Sequence, residues 1–104
     1  MTLITLAEAK AYLRVDTADE DAVIIDLLSA AARLCVDVGR LTEEQWTAID
    51  SDQEDEALTP LRETLRVAIL YALAYLYEHR EDADHHDLTM TLRSLLFAIR
   101  EGVV

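Results

Sequence analysis

The stretch from Val67 to Tyr77 restricts the fold of this chain more than any other segment, because all eleven of its residues are apolar or aromatic. Thr59 followed by Pro60 is typical of a helix start, since proline in the first turn loses no hydrogen bond. The pattern therefore predicts a long helix from Thr59, as its cap, to about Arg80. A helix that is apolar all round must be buried all round, and a transmembrane helix would need about 20 such residues. We expect a long apolar helix at the centre of a bundle.

The long helix carries two apolar faces. One face comprises Leu61, Leu65, Ala68, Ile69, Ala72, Leu73 and Leu76, and the second comprises Val67, Leu70, Tyr71 and Ala74. Two interpretations are open. Either the other helices of the chain cover both faces, or part of the second face, with Tyr71, Tyr75 or Phe97, contacts a second subunit. Aromatic residues are enriched at such interfaces because they bury much area at little entropic cost.

Glycine and proline are scarce, with 2 Gly and 1 Pro among 104 residues. This scarcity excludes folds built from many tight turns and favours helices. Capping boxes and a glycine stop signal divide the rest of the chain. The first predicted helix is Leu6–Leu13, after the capping box of Thr5 and Glu8, and the second runs from about Glu20 to Val38, where Gly39 ends it in the left-handed conformation. A short turn through Trp46 and Ile49 follows the capping box of Thr42 and Gln45. The last predicted helix runs from about Leu88 to Arg100, and the residues on its apolar stripe are Leu88, Leu92, Leu95, Leu96 and Ile99. We predict a single all-α domain over residues 1–104, a small bundle of four to five helices.

The charge balance excludes several classes of partner. The chain has 21 acidic and 9 basic residues, which gives a formal net charge of −12. Proteins bind duplex DNA largely by neutralising phosphates with Lys and Arg, so a domain this acidic is a poor free-standing nucleic-acid binder. An anionic membrane surface would repel it too. Residues 1–6 lack the pattern of a signal peptide, so we expect no membrane partner and a cytoplasmic compartment.

The acidic residues are concentrated between positions 50 and 56. Five of these seven residues are acidic, namely Asp50, Asp52, Glu54, Asp55 and Glu56. Like charges at this density resist packing and predict a solvated loop. The segment is similar to the start of a calcium-binding loop, but Asp55 and Leu61 stand where that motif requires glycine and glutamate.

We predict no metal site, no cofactor and no catalytic residue. His79, His85 and His86 lie near Asp82, Asp84 and Asp87, but their spacing does not place two ligands on one helical face. Cys35 lies on the apolar stripe of the second helix, which favours a buried structural thiol over a nucleophile. A single cysteine also excludes an internal disulfide framework.

The arginines allow two interpretations. They either pair with carboxylates on the surface of the same chain, at a gain of about 0–1 kcal/mol each, or form planar, bidentate contacts with carboxylates of a neighbouring subunit. The candidate interface residues, aromatic ones included, are Arg14, Arg33, Arg62, Arg66, Tyr71, Tyr75, Arg80, Arg93, Phe97 and Arg100.

Several segments, taken in order, resemble a known family. They are Thr5–Asp16, Ala30–Arg33, Ala68–Leu70 leading to Tyr77–Glu81, and Leu95–Arg100. Their order and spacing are similar to those of the tailed-phage head–tail connector family, small helical adaptor proteins often described as DNA-packaging proteins. The resemblance runs from Thr5 to Arg100. The chain departs from the family at Asp84–Asp87, where the family often carries Pro and Gly, and at Leu41–Leu58.

The resemblance implies a structural role in a virion. Copies would form a ring below the portal protein, matching its twelve-fold symmetry, and would bridge to the next tail-joining or head-completion protein. Genomic DNA would pass through the centre without specific binding, and the acidic loop at positions 50–56 would be able to line that channel. The expected location is the head–tail junction, with assembly in the host cytoplasm.

Two other hypotheses come from the residues themselves. The net charge of −12 also suits a small acidic regulatory protein that mimics DNA or captures a basic partner. The acid-rich histidine loop suggests, as a third hypothesis, a metal-dependent enzyme.

Overall fold

The computed structural model describes residues 2–51, 55–81 and 85–100. Within these ranges the regular structure is entirely helical, which confirms the predicted all-α class. The elements are α1 (Leu6–Leu13), α2 (Asp21–Val38), α3 (Glu43–Ile49), a 3₁₀ turn (Glu56–Leu58), α4 (Thr59–Glu78), α5 (His86–Leu95) and α6 (Phe97–Arg100).

Both predicted capping boxes are present. The Thr5 hydroxyl accepts a hydrogen bond from the backbone N–H of Glu8 at 3.2 Å, and the Glu8 carboxylate accepts one from the N–H of Thr5 at 3.2 Å. Thr42 and Gln45 exchange the same pair of bonds at the start of α3. Each box satisfies backbone donors that a helix start leaves unpaired, which explains why α1 and α3 begin where they do.

The end of α2 differs from the prediction in one residue. Gly39 has φ −74°, a right-handed conformation, and the left-handed residue is Arg40 with φ 56°. The N–H of Leu41 bonds to the Val36 carbonyl at 3.0 Å, and the N–H of Arg40 bonds to the Asp37 carbonyl at 3.2 Å. This pair of bonds defines a Schellman motif whose left-handed position follows the glycine instead of coinciding with it.

The last predicted helix is two helices. It begins at His86 instead of Leu88 and is interrupted at Leu96, where φ is −103° and ψ is 12°. Leu96 is fully buried, whereas its neighbour Leu95 is 39% exposed and does not belong to the buried stripe. The interruption of the helix therefore coincides with a leucine buried in the core. The start of α4 also differs slightly, because Thr59 is its first residue and no side chain caps it.

The core forms mainly where α2 and α4 pack together, with α1 and α5 against them. Five residues of α4 are fully buried, namely Leu65, Ala68, Ile69, Ala72 and Leu73. On the opposite side of the helix, Val67 is 60% exposed and Tyr71 is 40% exposed. The described residues therefore cover α4 on one side and leave part of its second apolar face exposed, while Leu70 of that face is half-buried against the core. No helix in the described ranges is long and apolar enough to cross a membrane.

Candidate interaction surfaces

The acidic segment is only partly a free loop. One carboxylate oxygen of Asp50 accepts hydrogen bonds from the backbone N–H groups of Thr2 at 2.8 Å and Leu3 at 2.7 Å. Asp50 is half-buried and fastens the N-terminal segment to the end of α3, which corrects its assignment to a solvated loop. Asp55 is exposed and accepts a bond from the N–H of Ala57, and Glu56 is exposed. The predicted loop members Asp52 and Glu54 lie outside the described residues.

Arg66 joins the N-terminal segment to α4. Its guanidinium donates to the backbone carbonyl of Leu3 and to the carboxylate of Glu8. The hydrogen bond from Arg66 is the main reason why the pKa of Glu8 lies below its ordinary value, with a further contribution from the N–H of Thr5. The contact spans 63 positions in sequence, between Leu3 and Arg66. Arg66 therefore makes its contacts within the subunit. Its positive charge favours the ionised form of the Glu8 carboxylate.

Arg62 is likewise used inside the chain. Its Nε donates to the Ile49 carbonyl at 3.1 Å and its Nη2 donates to the Ala48 carbonyl at 3.3 Å. These carbonyls lie at the C-terminal end of α3, where a helix leaves acceptors unpaired and where positive charge is favourable. Arg62 thus ties the short helix α3 to the start of α4.

Two further arginines pair across the surface. Arg33 lies 2.6 Å from the Glu43 carboxylate, which lowers the pKa of Glu43 and raises that of Arg33. Arg80 lies 3.3 Å from the Glu20 carboxylate and 4.8 Å above the ring of Tyr77. The carboxylate of Glu20 also raises the pKa of the Tyr77 hydroxyl, chiefly by hydrogen bonding. Both arginines have carboxylate partners in the same subunit.

The other candidate arginines have no such bonds. In the described part of the chain, Arg14, Arg93 and Arg100 form no ion pair, and Arg14 and Arg93 are exposed. Arg14 occupies the left-handed position at the end of α1, with φ 61°. Arg93 and Arg100 lie on α5 and α6. Arg100 is half-buried, and its Nε atom is buried without a hydrogen-bond partner within the described residues.

Tyr75 does not lie on the exposed side of α4. Its ring stacks on that of His79 at 4.2 Å between centroids and meets His85 edge-on at 6.1 Å. The Nδ1 atom of His79 lies 2.9 Å from the Tyr75 carbonyl oxygen. This cluster holds the end of α4 against the start of α5. Among the described residues no group of three potential metal ligands comes together, and Asp82 and Asp84 lie outside those residues.

Cys35 is fully buried, as predicted. Burial raises the pKa of its thiol to about 12. A thiol held in its neutral form is a poor nucleophile, because the thiolate is the reactive species.

A shallow groove of about 430 Å³ runs along α1. Lys10, the lysine that lines it, forms an ion pair with the Asp21 carboxylate at 2.8 Å.

The exposed side of α4 forms a continuous surface that we call the α4 strip. Its members share one face by helical spacing and are Glu63, Val67, Leu70, Tyr71, Ala74 and Glu78. Val67 and Tyr71 are the most exposed apolar members, and Leu70 and Ala74 are half-buried. An acidic residue lies at each end. The sequence predicted the apolar members of this strip as the second face of the helix.

A second surface, which we call the terminal face, lies on α5 and α6. Its members are Met90, Arg93 and Phe97, which are exposed and follow helical spacing. Phe97 is 59% exposed and Met90 is 48% exposed. Sequence reasoning predicted the aromatic residue and the arginine but missed Met90 and the exposure of Leu95. Tyr12, Val23 and Ile25 are also exposed, and the sequence analysis did not single them out.

The chain is a small helical domain in which Arg33, Arg62, Arg66 and Arg80 make contacts within the subunit, and exposed apolar residues lie beside charged ones on two surfaces. Residues 3–101 match the family model described as phage gp6-like head-tail connector protein. The chain belongs to this family, which is one of structural proteins and not of enzymes. The resemblance inferred from the sequence motifs is thereby confirmed. No curated protein and no solved structure matches the chain.

Proposed function

We propose that this protein is a structural adaptor at the head–tail junction of a phage virion. The observation that carries the proposal is the family match over residues 3–101. The two exposed faces support it, because an adaptor needs surfaces for at least two neighbours. Copies form a ring below the portal protein, matching its twelve-fold symmetry, and the ring joins the portal to the next tail-joining or head-completion protein. The subunits gather there from the host cytoplasm during assembly.

The net charge of −12 supports a passive role toward the genome. Acidic side chains repel phosphates, so a ring of such subunits lets a duplex slide without holding it. Asp55 and Glu56 are exposed and are the described residues that we propose for the channel wall. Asp50 serves a different purpose, since its carboxylate binds the backbone of the N-terminal segment.

Electron microscopy of the purified chain mixed with the portal protein from the same phage tests this proposal. We expect ring-shaped density on the tail-facing end of the portal. Portal alone is the control for that density. Absence of any portal-bound density contradicts the proposal. Capture of a basic host protein that dissociates with salt, in place of the portal, would favour the acidic regulator that the net charge also allows.

A further inference from the structure

The α4 strip is an apolar surface with negative ends. Glu63 lies one turn before Val67, and Glu78 lies two turns after Tyr71. The two glutamates are separated along the helix by about 22 Å, from a rise of 1.5 Å per residue. Both are exposed, and neither forms an ion pair within the described residues. Arg66, three positions after Glu63, is directed to the Leu3 carbonyl and to the Glu8 carboxylate.

The terminal face is an apolar surface with one exposed arginine. Met90 and Phe97 provide the apolar area, and Arg93 lies between them in the helical spacing. No acidic residue occurs between Asp87 and Arg100 in a chain that has 21 of them. Together with Asp87 and Glu101, which border it, the segment is neutral, in contrast to the net charge of −12 of the whole chain.

We infer that the α4 strip of one copy packs against the terminal face of the next copy. This contact rests on the proposed ring function, because it is the contact that would join neighbouring subunits of the ring. Two strips facing each other would bring four glutamates together, and two terminal faces would bring arginines together. The unlike pair buries both apolar surfaces and places Arg93 near a glutamate of the strip, which is the arrangement that electrostatic complementarity favours.

The asymmetry of this contact has a consequence for assembly. When unlike surfaces pair, each dimer still presents one free strip and one free terminal face. Such a heterologous contact repeats until it closes into a ring or continues as a filament. The charge pattern on the two faces therefore favours an assembly of several subunits over a closed dimer.

Disulfide trapping distinguishes this contact from its alternatives. Tyr71→Cys and Phe97→Cys are made as separate proteins, mixed in equal amounts and exposed to a mild oxidant. We expect heterodimers in about twentyfold excess over either homodimer, a factor of about ten beyond the statistical ratio, which corresponds to about 1.4 kcal/mol between the unlike and like contacts. Random collision gives only a twofold excess. The native Cys35 is fully buried and does not compete, and Ser29→Cys, exposed on α2, is the matched control.

The charged residues provide a second readout. Arg93→Glu in the Phe97→Cys protein is expected to reduce the heterodimer yield several-fold. Combining Glu63→Arg and Glu78→Arg in the Tyr71→Cys protein should restore much of it. All of these positions are exposed, so each variant should keep its helical circular dichroism spectrum.

The outcomes separate the contact from the proposed function. A statistical mixture of dimers, or Tyr71→Cys homodimers in excess, overturns the inferred contact even if the protein still binds its portal. Heterodimers in excess with no binding to the portal preserve the contact and contradict the adaptor function.

Discussion

Ile69 and Val67 lie two positions apart on α4 but in opposite surroundings. Ile69 is 0% exposed, and Val67 is 60% exposed. Truncation of each to alanine therefore tests whether α4 is covered on one side only. Ile69→Ala removes about three carbons at roughly 0.8 kcal/mol each, and the remaining cavity raises the cost to about 3–4 kcal/mol. Val67→Ala should change the free energy of unfolding by about 0.5 kcal/mol or less, because an exposed alanine also gains helix propensity.

Urea denaturation followed by circular dichroism measures both variants. With a typical urea m-value of about 2 kcal/mol/M, Ile69→Ala should lower the midpoint by about 1.5–2 M. The expected loss of about 3–4 kcal/mol is a large part of a typical free energy of unfolding of about 5–15 kcal/mol. Val67→Ala should leave the midpoint nearly unchanged. Equal losses in the two variants would refute the one-sided burial of α4, and with it the α4 strip.

Three further predictions concern single residues. The pKa of Glu8 is lowered in the folded state, so its pairing with Arg66 stabilises the fold above the unfolded pKa and is lost as the pH falls through the lowered value. Between pH 7 and pH 3 the urea midpoint of the wild type should therefore fall more than that of Glu8→Gln, and parallel curves would contradict this. Arg40→Gly should raise the free energy of unfolding by about 1 kcal/mol, because φ is 56° there and glycine adopts that conformation without a steric cost. A urea midpoint below that of the wild type would contradict this prediction. With its pKa raised to about 12, the Cys35 thiol should react with Ellman's reagent only as fast as the protein opens, and rapid reaction of the native protein would show that Cys35 is accessible.

Local sequence signals predicted most helix starts correctly. The capping boxes at Thr5 and Thr42 act between residues three positions apart, so a short window contains both partners. The two faces of α4 follow from helical periodicity, which also depends only on near neighbours. What the pattern could not decide is whether a second apolar face is covered within the chain, because that depends on how many other helices reach it.

The features that the sequence did not reveal depend on distant partners. Asp50 binds the backbone of Thr2 and Leu3 across 48 and 47 positions, and Arg66 reaches Leu3 across 63. A run of acids predicts repulsion from its neighbours in sequence but says nothing about a backbone donor brought near by folding. The interruption at Leu96 has the same origin, since its burial depends on where α5 lies against the core.

The charge of the whole subunit and the charges at the inferred contact act over different distances. Each copy carries −12, so two copies repel each other when they approach. At physiological ionic strength the Debye length is about 8 Å, which screens most of that long-range repulsion. A glutamate beside Arg93 at a dry contact is only a few ångströms away and is screened far less. In the proposed ring, where the portal would hold subunits side by side, this contact would therefore act against the screened repulsion of the net charges. The portal would supply proximity, and the unlike faces would supply the direction in which the ring grows.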